Sequence, residues 1–123
     1  MINSRAKGAR GERLLSKELN KYGYETRRGQ QYSGANGDAD VVGIPGIHIE
    51  CKFTERLLLR DWMEQSVRDA KDGETPVVMH KKSREEWLVT MRLKDWMKLY
   101  KEAEELGNIS KYTNDILDGH KDN

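Results

Sequence analysis

The 123-residue chain has a single cysteine, Cys51. One cysteine excludes an internal disulfide and any cysteine-based metal cluster. No apolar run approaches the ~20 residues that a membrane-spanning helix needs. The N-terminus is polar and basic and lacks the apolar stretch of a signal peptide. The expectation is a chain that stays out of membranes and works in the cytoplasm. Internal repeats and low-complexity segments are absent too. Apolar residues are scarce: 36% of the chain is hydrophobic against 35% charged. That leaves one domain with one lean core under a heavily charged surface. The formal net charge is only +1, but it is unevenly spread. Residues 1–31 carry eight Lys/Arg against Glu12, Glu18 and Glu25, and the rest of the chain is acidic. A basic N-terminal third suits a phosphate-binding face, although such runs are also the ordinary make-up of a solvated helix face.

The stretch Asp38 to Lys52 organises the rest. Val41, Val42 and Ile44 precede Pro45-Gly46, and Ile47 and Ile49 follow. Two runs rich in β-branched residues around a turn signal predict a β-hairpin. Side chains alternate along a strand. Ile47, Ile49, Cys51 and Phe53 therefore share a core face, with Cys51 as a packed thiol. His48, Glu50 and Lys52 share the other face, where Glu50 and Lys52 lie about 6–7 Å apart. A two-residue loop at Pro45-Gly46 pairs Val41 with Glu50. A three-residue loop, Ile44-Pro45-Gly46, pairs Asp40 with Glu50 and Val41 with Ile49, and it gives Gly46 the left-handed position such loops use. The second register matches charge with charge, and it puts Asp40, Glu50 and Lys52 on one patch. Two facing carboxylates call for a cation, because like charges raise each other's pKa. Oxygen ligands favour Mg²⁺, with Mn²⁺ as a substitute. Asp38 shares the parity of Asp40 and is the alternative ligand, one step outward. His48 reads as a polar bystander.

In chain order, a helix is expected from about Arg5 or Ala9 to Lys21, with Leu15, Leu19 and Tyr22 as its apolar stripe. Glu12 borders that stripe, where a carboxylate needs a partner. That partner is the metal region or a neighbouring Arg13 or Lys17. Gly8 and Gly11 either admit a close backbone or mark a late helix start. Tyr24–Arg28 is a first strand, and alternation turns one of Arg27 and Arg28 to the patch without saying which. The glycine-rich 29–37 segment is a loop suited to substrate contact. A helix from about Leu59 to Asp72 has Leu59, Trp62, Met63, Val67 and Ala70 as its apolar face and Gly73 as its cap. Buried strands follow at Pro76–His80 and Trp87–Met91. A helix at Leu93–Leu106 carries Leu93, Trp96, Met97 and Tyr100 as core or subunit interface. Helix, three strands, helix, two strands, helix predicts an α/β fold with a mixed central sheet flanked by helices. The domain is read as residues 1–106. Residues 107–123 are a tail that docks as a short helix or orders in an oligomer.

Asp40-Val-Val followed by Glu50-Cys-Lys52 resembles the PD-(D/E)xK nuclease signature, with Ala39 where the proline usually stands. Lys7-Gly-Ala-Arg-Gly-Glu-Arg13 resembles the N-terminal helix motif of archaeal-type Holliday junction resolvases, including phage-borne versions. The resemblance covers roughly residues 5 to 100. It implies a restriction-endonuclease-like core (αβββαββα) and Mg²⁺-dependent resolution of four-way DNA junctions by a homodimer, in the host cytoplasm if phage-encoded. It implies Glu12, Asp40, Glu50 and Lys52 as catalytic residues. Asp40, Glu50 and the Cys51 backbone carbonyl would hold metal, with Glu12 acting through water. Lys7, Arg10, Arg13, Arg27, Arg28 and Gln65 would contact branched DNA. Alternatives are a related nuclease acting on linear duplex ends or single strands, and a catalytically silent DNA-binding module.

Overall fold

The structure is a computed structural model and describes residues 4–30 and 39–107. The chain divides into two compact units, Met1–Met91 and Arg92–Asn123. The sheet lies wholly in the first. Helix α1 (Ser4–Asn20) is followed by strands β1 (Arg27–Arg28), β2 (Val41–Val42) and β3 (Ile47–Phe53), helix α2 (Leu59–Asp69), and strands β4 (Thr75–Lys81) and β5 (Leu88–Met91). Spatial order follows chain order, β1-β2-β3-β4-β5. Only the β3–β4 pair, which α2 connects, is parallel. The sheet is therefore mixed, as the sequence pattern predicts.

Helix α1 supplies Leu15 to a core shared with Val41, Ile49, Cys51 and Val77. Gly11 makes this packing close. A Cβ there would sit 2.7 Å from the Phe53 Cβ, whereas Gly8 has open space around it. Gly11 thus serves helix–sheet contact, and the helix starts before both glycines. Tyr22 lies past the helix end and is 73% exposed, so it drops out of the apolar stripe. The chain returns to β1 through Thr26. Its N–H donates to Asn20 Oδ1 at 2.7 Å, and its hydroxyl lies 2.7 Å from Ser16 Oγ. Those bonds fix where Arg27 and Arg28 begin.

The hairpin takes the three-residue register. Val41 pairs with Ile49, Ile47 N–H donates to Ile44 O, and Gly46 has φ +79°. Gly43 has no room for a side chain, since a Cβ would lie 2.5 Å from Glu25 O. The face opposite the Leu15 core is less open than its polar residues suggest. Helix α2 covers it with Trp62, packed against His80, and with Ser66, whose hydroxyl donates to Val77 O. The buried α2 positions are Trp62 and Ser66, while Val67 is partly exposed. A small hydroxyl with a backbone partner is easily buried, which apolar periodicity does not register. Helix α2 ends at Asp69, earlier than Gly73. Ala70 is already extended, and the Glu74 carboxylate accepts the Lys71 N–H at 2.8 Å. That side-chain-to-backbone bond competes with a further helical turn. Gly73 takes its positive φ in the turn that follows.

Strand β5 is an edge and is not buried: Leu88 and Val89 are more than half exposed. In the second unit, helix α3 (Leu93–Glu105) is held at its start by an Arg92–Asp95 ion pair at 2.9 Å, and it stacks Trp96 on Tyr100. None of its residues is buried. Leu93, Trp96, Met97 and Tyr100 therefore do not form core. The tail expected beyond Gly107 lies outside the described residues, as do the 31–37 part of the glycine-rich loop and Asp38.

Candidate active site

The β2–β3 register brings the acids together. Asp40 is held on three sides. Its N–H donates to Ile49 O at 3.0 Å, its carbonyl accepts Gly29 N–H at 2.9 Å, and its Oδ2 accepts the Cys51 N–H at 2.8 Å. A carboxylate fixed by its own backbone and by a neighbouring strand loses little entropy when it binds something. Glu50 lies opposite, and the Asp40 and Glu50 carboxyls are hydrogen-bonded to each other. Lys52 Nζ is 3.7 Å from Glu50 Oε2 and 3.5 Å from Gln65 Oε1 on α2. Asp40, Glu50, Lys52 and Gln65 thus form one cluster between β2, β3 and α2.

Burial sets its electrostatics. Glu50 is only 4% exposed, and desolvation, with the Asp40 charge added, pushes its carboxyl up to about 8. Asp40 is also raised by desolvation, opposed by the bond from the Cys51 N–H and by the Lys52 charge. The shared hydrogen bond favours the ionised form of Asp40 and the protonated form of Glu50. Burial and the proximity of two like charges therefore both favour protonation of the pair in the absence of metal, Glu50 the more strongly. A proton kept between two buried carboxyls is what a cation displaces.

Glu12 stands at the border. Its Oε1 accepts from Arg28 Nε at 2.9 Å, and its carboxyl is raised by burial, with the Arg28 bond opposing. It senses the Asp40 charge. Its partner is thus an arginine of β1, rather than Arg13 or Lys17. The structure also settles the strand parity: Arg28 turns toward Glu12, and the exposed Arg27 donates to the Arg28 carbonyl. Arg13 is exposed beside Glu12 and contributes charge to it. Lys7 lends its charge to Glu55, and Arg10 lies over the Phe53 ring at 5.6 Å. Neither is part of the carboxylate cluster. Cys51 packs its thiol in the core, where burial raises its pKa.

His48, which shares the face of Glu50, is buried rather than at the surface. It is 3% exposed, its Nδ1 is 3.6 Å from Glu74 Oε1, and its Nε2 is buried with no hydrogen-bond partner among the described residues. Shared parity with Glu50 was the available signal. Burial on that face depends on α2 and could not be read from the hairpin.

Among the described residues, no three His, Cys, Asp or Glu side chains form a ready metal cage. Two converging carboxylates still fit a hard divalent cation. Mg²⁺ keeps several waters and is commonly bound through one or two carboxylates. The converging Asp40 and Glu50 carboxyls mark the place.

Comparison with known proteins agrees with this geometry. The model of a family of phage PDDEXK endonucleases matches residues 3–122. Hjc, a Holliday junction resolvase from the archaeal hyperthermophile Archaeoglobus fulgidus, is 33% identical over 69% of this chain and 72% of its own, with a TM-score of 0.53. A search of curated proteins finds no match.

Proposed function

The chain belongs to the PD-(D/E)xK nucleases, in a family of phage PDDEXK endonucleases, and from that premise we propose that it is a divalent-metal-dependent, structure-selective DNA endonuclease that resolves four-way junctions. The observation that carries the site is the facing, largely buried Asp40 and Glu50 carboxyls with Lys52 Nζ 3.7 Å from Glu50 Oε2. The junction substrate rests on the likeness to Hjc.

Asp40 and Glu50 would hold Mg²⁺, or Mn²⁺ in its place, with the Cys51 backbone carbonyl as a further oxygen and Glu12 contributing through water. A bound divalent cation supplies a polarised scissile phosphate and a water of lowered pKa. The Cys51 N–H fixes the Asp40 carboxylate in one orientation. Lys52 orients the attacking water and stabilises charge developing on the phosphate. Gln65 steadies the Lys52 ammonium from α2. Arg28 holds Glu12 in place while offering its remaining N–H groups to a phosphate. Lys7, Arg10, Arg13 and Arg27 meet flanking phosphates, which position the substrate and read no sequence. A two-fold homodimer, the commonest assembly, would present two such sites to two strands of a branch.

The test is incubation with a four-way junction, a linear duplex and single-stranded DNA, with Mg²⁺ and with a chelator. Paired symmetric nicks on the junction, only with metal, are expected. Processive digestion of linear DNA would assign a different nuclease activity, and binding without cleavage would make the chain a silent DNA-binding module.

A further inference from the structure

We propose that the cleft between α1 and the β4–β5 turn is a second DNA-binding site, a track for the phosphate backbone of a duplex arm. It rests on the reading that the substrate is DNA. The cleft encloses about 740 Å³ and contains none of Asp40, Glu50 or Lys52. One wall is α1 and the turn that follows it, where Arg10, Leu14, Lys17 and Lys21 recur at helical spacing. Glu12 is absent from this wall and turns instead to Arg28. The other wall carries Lys81 and Arg84, so five cations line the cleft against Glu18, Glu85 and Glu86.

The pairing of these charges leaves the cleft with positive charge to offer. Glu18 is engaged by Lys21 at 3.2 Å. Lys81 donates to a backbone carbonyl, that of Glu85, at 2.7 Å. Arg10, Lys17 and Arg84 have no carboxylate partner among the described residues. Arg10 and Lys81 both converge on the Phe53 ring, at 5.6 and 5.9 Å. A ring engaged by two cations is no platform for stacking a base. The same arrangement keeps both cations at the cleft floor, where an anion can meet them. Phosphate therefore fits this cleft, and an unstacked single strand fits it less well.

The turn itself is built. Arg84 is the one non-glycine residue with positive φ among those described, at 67°. The Ser83 N–H is pinned by Glu55 Oε2 at 2.9 Å, and Glu85 N–H closes the turn on Lys82 O. Glycine takes that conformation without the cost an arginine bears. A strained residue held in place by its surroundings points to a use for its side chain. From Arg10 to the helix end at Asn20, just before Lys21, the rise is about 15 Å, which matches the axial length of about four to five base pairs, about 3.4 Å each.

The test is the salt dependence of junction binding, measured by anisotropy in Ca²⁺ with long arms and with arms cut back to the branch. The variant is Lys17→Glu with Arg84→Gly. Arg84→Gly relieves strain, so it should hold or raise the melting temperature. A melting temperature of the double variant at or above that of wild type, measured alongside, separates a loss of binding from a loss of fold. On long arms the expected result is at least about tenfold weaker binding at low salt and a slope shallower by about two. On cut-back arms wild type and variant should agree. Arg60→Glu with Arg68→Glu, on α2, is the charge control. An unchanged slope on long arms, an equal loss on short arms, or an equal loss in the control overturns the track. Failure of the function proposed above looks different. A wild type that never cuts a junction, yet binds long arms through Lys17 and Arg84, would sink the resolvase reading and keep the track.

Discussion

Strands β3 and β5 depart from the usual sorting of side chains in opposite directions. Strand β3, one strand in from β2, buries His48 and Glu50 on its α2 face as fully as it buries Ile49 on the other. Strand β5, at the edge, exposes Leu88 and Val89. The second departure costs little, because scattered exposed apolar residues are ordinary. The first is expensive, because a buried carboxyl must be neutralised, paired or given a cation. Asp40, Lys52 and a retained proton together meet that need for Glu50. Where a fold keeps an arrangement that weakens it, the reason is sought in what the site binds.

The largest expected effect comes from removing that reason. Asp40→Asn keeps the shape and removes a metal-binding charge. Cleavage should be abolished, while metal-free DNA binding holds or tightens as repulsion from phosphate falls. Lys52→Ala should slow cleavage by about 10²–10³-fold, as loss of one charge-stabilising donor does. It should leave Mn²⁺ binding in place or stronger, because a nearby positive charge is gone. Calorimetric titration of both variants beside a cleavage assay separates the roles. An Asp40→Asn protein that cuts normally, or a Lys52→Ala protein that loses metal while Asp40→Asn keeps it, breaks the assignment.

Next in size is stability against pH. Folded, Glu50 holds its proton up to about pH 8, against an ordinary value of 4.5 in the unfolded chain. Between those values the folded state binds more protons, so metal-free stability falls as pH rises through the window. Asp40 and Glu12, also raised, act in the same sense. Glu50→Gln donates to Asp40 as protonated Glu50 does, so it should flatten this slope and raise metal-free stability above pH 8 by a few kcal/mol, of order. Mg²⁺ should stabilise wild type increasingly toward pH 8 and do little for the variant. Thermal melts from pH 5 to 9, with Mg²⁺ and with chelator, read all of this. Metal-free wild type that grows more stable toward pH 8 would show that Glu50 is ionised through some other partner.

Surface charge gives a smaller effect. Arg27→Glu should weaken junction binding and lower its salt slope by about one. Arg27 is exposed and has no carboxylate partner among the described residues. An unchanged slope would make it part of a solvated edge.

What the sequence made legible follows the same division between β3 and β5. The hairpin register was readable because alternation and the Pro45-Gly46 turn are local, and one slip would exchange every face. The mixed sheet followed from element order. Which arginine met Glu12 was not readable, since it depends on Thr26 being tied to Ser16 and Asn20 across the α1–β1 connection. Burial of Glu50 and His48 was not readable either. It is decided by α2 and by Ser66, a polar residue that counts against an apolar stripe. The exposure of β5 is a matter of strand order at the sheet edge, and its Leu-Val-Thr-Met sequence reads equally well as a central strand.

The smallest expected effect tests the exposed side of the comparison. Leu88→Ser removes an apolar side chain that is already 51% exposed. Little cavity forms and little burial is lost, so the change should stay within about 0.5 kcal/mol. Val78→Ala, one strand inward, removes methyl groups from a fully buried position and should cost about 2 kcal/mol. Denaturant melts of the two variants at low protein concentration give the difference directly. Should Leu88→Ser cost as much as Val78→Ala, the β5 edge is covered in solution. A melting midpoint that rises with wild-type concentration and stops rising in Leu88→Ser would then identify a second copy of the chain as the cover. With no such dependence, Leu88 is simply an edge residue in water, and the departure from ordinary sorting belongs to β3 alone.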